Sequence, residues 1–262
     1  MIKLLVSDLD NTLLNHNKVI SPYTAQVLNK CRQNGILTAF ATARPEHATR
    51  NAQEVFTPDF VIANNGAEVF HHGKIIRQML ISGESSIQLL EIFLSMEQIP
   101  HLSIVKGDCL YSNYDWEQFD HEKWNSIPTD FSSLEMFSAG CIKISVECTD
   151  WDLMNDILKD YPGLHMVTSA IDPWCHIMHA DTGKWTGIHY LAGHFQINAQ
   201  DIIAFGDDNN DLEMLQNCGT GIAMGNAAEH VKQVADQVCL TNEADGVAKW
   251  IEKNILNNST SL

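Results

Sequence analysis

Near its start the chain carries a short apolar run that leads directly into two acidic residues: KLLVSDLDNTLL, residues 3–14. A short apolar run bounded by polar residues predicts a buried strand, here Lys3–Ser7. Asp8 and Asp10 then stand where that strand ends. Because open α/β sheets bind their ligands beyond the carboxyl ends of parallel strands, the segment predicts both a parallel sheet and a candidate site at its edge.

The rest of the chain alternates strand-length apolar runs with helix-length amphipathic stretches, as in a parallel sheet covered by helices. One helix, Ser21–Asn34, begins with a Ser-Pro pair and ends before Gly35. The alternation breaks near residue 81 and returns near residue 182. We therefore predict an α/β fold: a doubly wound, Rossmann-like parallel-sheet core (residues 1–81 and 182–262) with an inserted α+β unit (residues 82–181).

The inserted unit has a different pattern from the core, with strands that do not alternate regularly with helices. A stretch between its strands, Asn113–Ser138, is rich in aromatic and acidic residues and predicts no regular element. In the core, Ala48–Phe56 and Asp245–Ile255 are predicted helices. The predicted strands of the insert are His101–Tyr111, Cys141–Cys148, Leu164–Thr168 and Cys175–His179, with a helix at Trp151–Lys159.

Composition and charge exclude several classes of protein. The 262 residues include 16 Lys and Arg against 33 Asp and Glu, a net charge of −17. Such an excess of acid disfavours nucleic acid and anionic membranes as partners. No apolar run reaches the roughly 18 residues of a membrane span. Seven cysteines without a C-x-x-C pair favour free thiols in a reducing cytoplasm.

A second acidic cluster, GDDNND at residues 206–211, follows the predicted strand Asp201–Phe205 and opens a helix. It holds the same kind of position as Asp8 and Asp10, so the two clusters can converge in space. Carboxylates brought close together repel each other unless a cation joins them. Because all the candidate ligands are oxygen atoms, they favour Mg²⁺ over zinc.

Two further polar features stand at strand or helix ends. Thr42 follows the strand Ile36–Ala41, and its hydroxyl and the backbone N–H groups after it could hold phosphate oxygens. Lys184 begins a helix, where its charge adds to the positive N-terminus and favours an anion. Each feature alone also has a purely structural explanation, such as a turn or a helix cap. Their order and shared location favour a site.

Four segments together resemble the motifs of the haloacid dehalogenase (HAD) superfamily. Later stretches are similar to its Cof-type (IIB) branch in particular. The superfamily motifs are DLDNTLL (residues 8–14), ATAR (residues 41–44), Lys184 and GDDNNDLEML (residues 206–215); the Cof-type stretches are NNGA (residues 64–67), GTGIAMGNA (residues 219–227) and DGVA (residues 245–248).

The resemblance implies a Mg²⁺-dependent phosphatase that forms an aspartyl-phosphate. Asp8 would be the nucleophile, and Asp10 would protonate the leaving alcohol and then deprotonate the attacking water. Magnesium would be held by the Asp8 carboxylate, the Asp10 backbone carbonyl and Asp207. Asp211 would orient Lys184 or a metal-bound water.

The resemblance also assigns the residues that grip the phosphate. Thr42, Lys184 and Asn210 would hold its oxygens, and Thr42 and Lys184 would join Asp8 and Asp10 as catalytic residues. Leu9 and Ala43 complete the predicted phosphate-binding set. Ala43 stands where the family usually has glycine, which bears on how closely the backbone approaches the phosphate.

The inserted unit would act as a cap that selects the substrate, because the core reads only the phosphate. We expect a small phosphorylated metabolite, such as a sugar phosphate, a nucleotide or a phosphorylated cofactor, and a cytoplasmic monomer or small homo-oligomer. A phosphomutase or phosphotransferase on the same intermediate and a non-enzymatic phospho-accepting module remain alternatives. Candidates to contact the leaving group, each with core packing as the competing role, are Trp116, Trp124, Trp174, His101 and His176.

Overall fold

The computed structural model describes residues 2–114, 125–168 and 173–257. The chain divides into two compact units, one formed by Met1–Arg77 with Gly183–Leu262 and the other by Gln78–Thr182. The sequence-based limits near residues 81 and 182 lie close to these. The role of the second unit as a cap stays a prediction. No helix within the described ranges is long and apolar enough to span a membrane.

The described residues form the following strands and α-helices. The strands are β1 (Leu4–Ser7), β2 (Leu37–Ala41), β3 (Phe60–Ala63), β4 (Glu68–His71), β5 (Lys74–Gln78), β6 (Leu102–Lys106), β7 (Cys109–Ser112), β8 (Ser126–Pro128), β9 (Lys143–Glu147), β10 (Leu164–Thr168), β11 (Trp174–His179), β12 (Ile202–Gly206), β13 (Thr220–Ala223) and β14 (Gln237–Val238). The helices are α1 (Pro22–Gln33), α2 (Arg50–Val55), α3 (Gly83–Leu94), α4 (Trp151–Leu158), α5 (Lys184–His194), α6 (Leu212–Asn217), α7 (Glu229–Val234) and α8 (Gly246–Ile251).

The first unit is built on an eight-stranded sheet in the order β14-β13-β12-β1-β2-β3-β4-β5. The strands from β14 to β3 are parallel, and β4 pairs antiparallel with β3. All four residues of β1 are buried, since β1 lies in the middle of the sheet. Parallel strands covered on both faces are expected to be this apolar. The predicted α/β class with a doubly wound core is confirmed.

Helix α1 shows how local sequence signals set the boundaries of an element. Ser21 caps its N-terminus by accepting a hydrogen bond from the Thr24 N–H, and Pro22 occupies the first turn. Val27, Leu28 and Cys31 are buried in the core of the first unit. The apolar face therefore anchors the helix on the sheet, as the spacing predicted.

Two predicted helices of the core differ from the observed elements at their ends. The segment predicted as Ala48–Phe56 begins with a 3₁₀ turn, Glu46–Thr49, and only then becomes α2. The last predicted helix, Asp245–Ile255, is α8 followed by a wider turn over Glu252–Leu256. Helix ends fray into 3₁₀ or wider turns because their terminal backbone groups lack partners within the helix.

The second unit is built on a six-stranded sheet in the order β10-β11-β9-β6-β7-β8. Its pairs are antiparallel except for β7 with β8. The predicted single strand His101–Tyr111 is wrong, because the structure forms the hairpin β6–β7 there. Gly107 adopts a φ of +55° between them, which few residues other than glycine adopt readily. Two short strands joined by a turn therefore replace the one long strand that was predicted.

Candidate active site

The two acidic clusters meet at the carboxyl edge of the core sheet. Strand β1 pairs parallel with β12, so that Ser7 lies beside Phe205. Asp8 follows directly, and its backbone N–H donates to the Phe205 carbonyl over 3.0 Å. Asp207 follows β12 in the same way. Carboxylate oxygens of Asp8, Asp207 and Asp211 all lie within 4.8 Å of one another, although more than 190 residues separate Asp8 from the second loop.

Lys184, the first residue of α5, joins two of these carboxylates. Its Nζ donates to Asp8 Oδ1 over 2.8 Å and to Asp211 Oδ1 over 2.6 Å. All three side chains are buried, with Lys184 only 2% exposed. Burial alone would lower the pKa of Lys184, but the Asp211 and Asp8 carboxylates raise it above its ordinary value. The ammonium group therefore stays charged, and it holds Asp8 in one position.

Asp211 uses both of its oxygens to organise the second loop. While Oδ1 accepts from Lys184, Oδ2 accepts from the backbone N–H groups of Asp207 over 2.8 Å and Asp208 over 3.1 Å. The side chain is fully buried. These bonds fit the predicted role of Asp211 as a residue that orients Lys184, and they leave Asp8 and Asp207 as the better placed carboxylates for a cation.

The pKa values of the Asp8 and Asp207 carboxyl groups are both raised above their ordinary value. Burial is the largest cause for both: it raises the pKa of Asp8 well above its usual value and that of Asp207 to about 6. Lys184 opposes the rise at Asp8. The Thr12 hydroxyl opposes it at Asp207 by donating to Oδ1 over 2.6 Å. A bound divalent cation would relieve this unfavourable clustering of carboxylates.

The residues present fit such a cation. Hydrogen bonds among the described residues engage one carboxylate oxygen of Asp8 and one of Asp207. The second oxygen of each therefore remains for a ligand. Oxygen donors of this kind suit Mg²⁺.

The Asp10 carboxylate is not part of this cluster. Arg44 holds it with two hydrogen bonds, Nε to Oδ2 at 2.7 Å and Nη2 to Oδ1 at 2.6 Å, and the Lys18 ammonium donates to Oδ1 over 2.9 Å. Burial would raise the pKa of Asp10, but Arg44 and Lys18 lower it to about 2. The sequence placed Asp8 and Asp10 together, whereas the structure gives their side chains different partners.

The predicted phosphate-binding residues lie around the same edge. Thr42 follows β2, is 1% exposed, and its hydroxyl accepts from the Arg44 N–H over 3.2 Å. Leu9 is buried directly after Asp8, and Ala43 is half-buried between Thr42 and Arg44. The side-chain amide of Asn210 donates to Asn65 Oδ1 over 3.0 Å.

Three residues of the site were not predicted from the sequence. Thr12 bonds to Asp207, Lys18 bonds to Asp10, and Asn65 bonds to Asn210. Thr12 and Asn65 both fall within quoted motifs, so the motif positions themselves were the available signal. Lys18 stands eight residues from Asp10 in an irregular loop, and no spacing rule indicates that contact.

The fold and site together define a doubly wound α/β protein with a buried aspartate, fixed by a lysine, at the end of its central strand. The chain belongs to the haloacid dehalogenase-like hydrolases, whose family model matches residues 5–251. The predicted superfamily is confirmed with it. The family membership and the relatives described next support a phosphoric monoester hydrolase.

Relatives of known sequence and structure cover almost the whole chain. A putative phosphatase of Haemophilus influenzae is 30% identical over 97% of this chain and 98% of its own. The 5-amino-6-(5-phospho-D-ribitylamino)uracil phosphatase YitU of Bacillus subtilis is 28% identical over 95% and 96%. The subclass IIB sugar phosphatase BT4131 shares the fold, with a TM-score of 0.82 and 24% identity over 96% of this chain and 98% of that one.

Proposed function

We propose that this phosphatase hydrolyses small phosphorylated metabolites with Mg²⁺, through a phosphate ester formed on Asp8. One observation carries the proposal: Asp8 is buried, fixed by Lys184, and adjacent to Asp207 at the carboxyl edge of the sheet. A carboxylate held in one orientation is positioned to attack phosphorus, because it loses little further conformational entropy in the reaction. The substrates are phosphate monoesters.

The proposed reaction has two steps. In the first, an oxygen of Asp8 bonds to phosphorus, the bond from phosphorus to the ester oxygen breaks, and the leaving oxygen takes a proton from Asp10. In the second, water gives a proton to Asp10 and bonds to phosphorus, and the Asp8 carboxylate leaves. Splitting hydrolysis in this way replaces one difficult displacement by two easier ones.

The ion pairs of Asp10 add a requirement to this scheme. With Arg44 and Lys18 bound, the pKa of Asp10 is about 2, so its carboxylate is ionised. An ionised group can accept a proton but has none to donate. The acid role therefore requires that the exposed Lys18 ammonium release Asp10 before the leaving oxygen is protonated, while the buried Arg44 keeps the carboxylate in position.

The cation would be held by the Asp8 and Asp207 carboxylates and the Asp10 backbone carbonyl. When bound, Mg²⁺ would offset the repulsion between the Asp8 carboxylate and the negative phosphate. Thr42, Lys184 and Asn210 would bind the phosphate oxygens, with the loop positions Leu9 and Ala43 beside them. These contacts supply the positioning on which phosphoryl transfer mainly depends.

Hydrolysis of p-nitrophenyl phosphate tests the proposal. We expect turnover with Mg²⁺, loss of turnover after treatment with a chelator, and recovery when Mg²⁺ is restored. Asp8→Asn removes the nucleophilic oxygen while keeping the shape of the side chain, and it should abolish turnover. Wild-type protein that releases no more phosphate than Asp8→Asn, across p-nitrophenyl phosphate and a panel of metabolite esters, contradicts the proposal.

The acidic loop offers a matched control for the metal. Asp207→Asn should weaken Mg²⁺ binding in isothermal titration calorimetry, because it removes one of the proposed ligands. Asp208→Asn should leave it unchanged, because Asp208 caps its own turn through the Asn209 N–H, a role that asparagine also fills. Equal binding by both variants would contradict the assigned ligands.

A further inference from the structure

The loop that carries Asp10 turns sharply at the next residue, Asn11. Asn11 adopts a left-handed φ of +58°, a conformation that asparagine tolerates but does not require. The residues on either side of it face different partners: Asp10 is bound by Arg44, and the Thr12 hydroxyl donates to Asp207. The conformation of Asn11 therefore sets the direction of two side chains of the candidate site.

An asparagine from another loop holds this turn. The Asn226 Nδ2 donates to the Asn11 carbonyl over 2.8 Å, and its Oδ1 accepts from the Asn242 backbone N–H over 3.0 Å. Because a backbone N–H can only donate, the second bond fixes which end of the amide faces Asn11. The Asn242 side chain in turn donates to the Leu14 carbonyl over 2.9 Å. The two asparagines, here termed the asparagine clamp, hold the loop Leu9–Leu14 at two of its carbonyl groups.

The clamp contains a motif residue that has no place in the proposed reaction so far. Asn226 belongs to GTGIAMGNA (residues 219–227), which includes and follows β13. Gly225 lets this loop approach the segment after β14. Its N–H donates to the Leu240 carbonyl over 3.2 Å, and a Cβ at Gly225 would lie 3.0 Å from the carbonyl carbon of the same residue. The close approach places Asn226 beside Asn242.

Stability alone does not require the bond between Asn226 and Asn11. Both residues are exposed. Water can satisfy an exposed carbonyl group, so the net contribution of such a bond to folding is small. The particular effect of the bond is geometric, because it selects one orientation of the peptide group that joins Asn11 to Thr12.

We propose that Asn226 is a positioning residue for Asp10. By holding the Asn11 carbonyl, it keeps the Asp10 carboxyl group where it can protonate the leaving oxygen. The inference rests on the proposed function, in which Asp10 is the acid, and it gives Asn226 no contact with the substrate. Proton transfer requires the acid to lie within hydrogen-bond reach of the leaving oxygen, so a small displacement of Asp10 lowers the rate.

Two esters of similar shape but different leaving group test this role. p-Nitrophenolate leaves readily without a proton, whereas the phenolate of phenyl phosphate gains more from protonation. Asn226→Asp loses the donor to Asn11 but still accepts from Asn242, and Asn226→Ala removes both bonds without adding charge. Each variant should lower kcat/KM by about 10- to 100-fold for phenyl phosphate, but by less than about threefold for p-nitrophenyl phosphate.

Asn217→Asp is the matched control. Asn217 is also exposed, and its Nδ2 also donates to a backbone carbonyl, that of Glu213 over 2.7 Å, but this bond lies within α6. The control should change both esters by the same small factor. The inference is overturned if both Asn226 variants lower the two esters equally, as a loss of folded protein would, or if they lower neither while the wild type hydrolyses both.

A measurement without turnover separates this inference from the proposed function. The Arg44 Nε–H donates to Asp10 Oδ2 over 2.7 Å, and its NMR signal, identified by its loss in Arg44→Met, reports whether Asp10 is in place. Exchange of this proton with water should be at least about tenfold faster in Asn226→Asp and unchanged in Asn217→Asp. Faster exchange supports the positioning of Asp10 even if the wild type hydrolyses no ester. Unchanged exchange in Asn226→Asp overturns it even if hydrolysis of p-nitrophenyl phosphate succeeds.

Discussion

At the scale of single residues, the account depends on one buried cation between two buried carboxylates. Lys184 bonds to Asp8 and Asp211, and none of the three residues is more than 6% exposed. Charges with so little water around them depend on each other, because removing one leaves the others buried and uncompensated. The same group of residues therefore affects both stability and chemistry.

Lys184→Met should lower the free energy of unfolding by about 3–5 kcal/mol and abolish turnover, since it leaves Asp8 and Asp211 buried without a cation. Urea denaturation followed by circular dichroism measures the loss. Adding Asp211→Asn to Lys184→Met should recover part of the stability by removing one charge. If Lys184→Met alone were as stable as the wild type, the three residues would not form the buried cluster.

Asp10 gives a second prediction, because its two cations differ in burial. Arg44 is mostly buried, whereas the Lys18 side chain is 47% exposed. Arg44→Met should reduce kcat by roughly 100-fold, since Asp10 would lose its fixed position. Lys18→Met should reduce it by less than about fivefold, because exposed ion pairs contribute little. Steady-state kinetics on p-nitrophenyl phosphate distinguishes them, and equal effects would contradict a positioning role for Arg44.

The sequence predicted the residues of the acidic site but not all of their partners. Asp8 and Asp207 could be brought together because parallel neighbouring strands end at one edge. The separation of the Asp10 side chain from Asp8 could not be predicted. It depends on a left-handed φ of 58° at Asn11 and on a guanidinium from another strand end, and no periodic pattern encodes either.

At the scale of elements, the loop Asn64–Gly66 connects three of the predicted motifs. Asn65 donates its backbone N–H to the Thr42 carbonyl over 2.9 Å, and its side chain accepts from Asn210. A Cβ at Gly66 would lie 2.0 Å from the Gly183 carbonyl oxygen, next to Lys184. The loop therefore fixes the distance between these segments.

Gly66→Ala should destabilise the protein and lower kcat/KM, because the new methyl group would push Gly183 and with it Lys184. Gly73→Ala is a matched control: Gly73 also has a positive φ, +73° against +86°, but nothing lies within 4 Å of its added Cβ. That control should lose only the roughly 1 kcal/mol of a left-handed backbone and keep its activity. Thermal unfolding and kinetics measure both; similar losses in the two variants would mean that the contact with Gly183 does not matter.

The hairpin β6–β7 is the element that differs most from its prediction. The hairpin β6–β7 was predicted as one strand although the two residues between the strands, Gly107 and Asp108, form a Gly-Asp pair, which is a sequence signal of a two-residue hairpin turn. The apolar residues on both sides of this pair favoured one long strand, and the turn signal between them was not used.

At the scale of the whole molecule, the net charge of −17 is distributed unevenly. Residues 78–182 contain 17 of the 33 acidic residues but only four of the 16 basic ones. A strongly acidic protein repels anionic substrates at long range, so binding depends on local cations. Lys184 provides one at the acidic site of the first unit.

The partly buried residue His176 makes stability depend on pH. Burial, with a smaller contribution from Lys143, lowers the pKa of His176 from 6.5 to about 3. The unfolded chain therefore takes up this proton first, and stability falls as the pH drops below 6.5. Between pH 7 and pH 5 the wild type should lose about 1–2 kcal/mol from this residue. Urea denaturation at the two pH values should show a smaller loss of unfolding free energy for His176→Gln than for the wild type. The exposed control His189→Gln should lose as much as the wild type. An equal loss in all three proteins would contradict this role of His176.

The central claim is that Asp8 is phosphorylated during turnover. The most direct measurement is rapid acid quenching of the enzyme with a ³²P-labelled phosphate ester, followed by peptide mapping of the label. Transient label should appear on the peptide that contains Asp8, should be released by hydroxylamine as expected for an acyl-phosphate, and should be absent in Asp8→Asn. Phosphate release by the wild type with no protein-bound label at any time, or label that persists in Asp8→Asn, would contradict it.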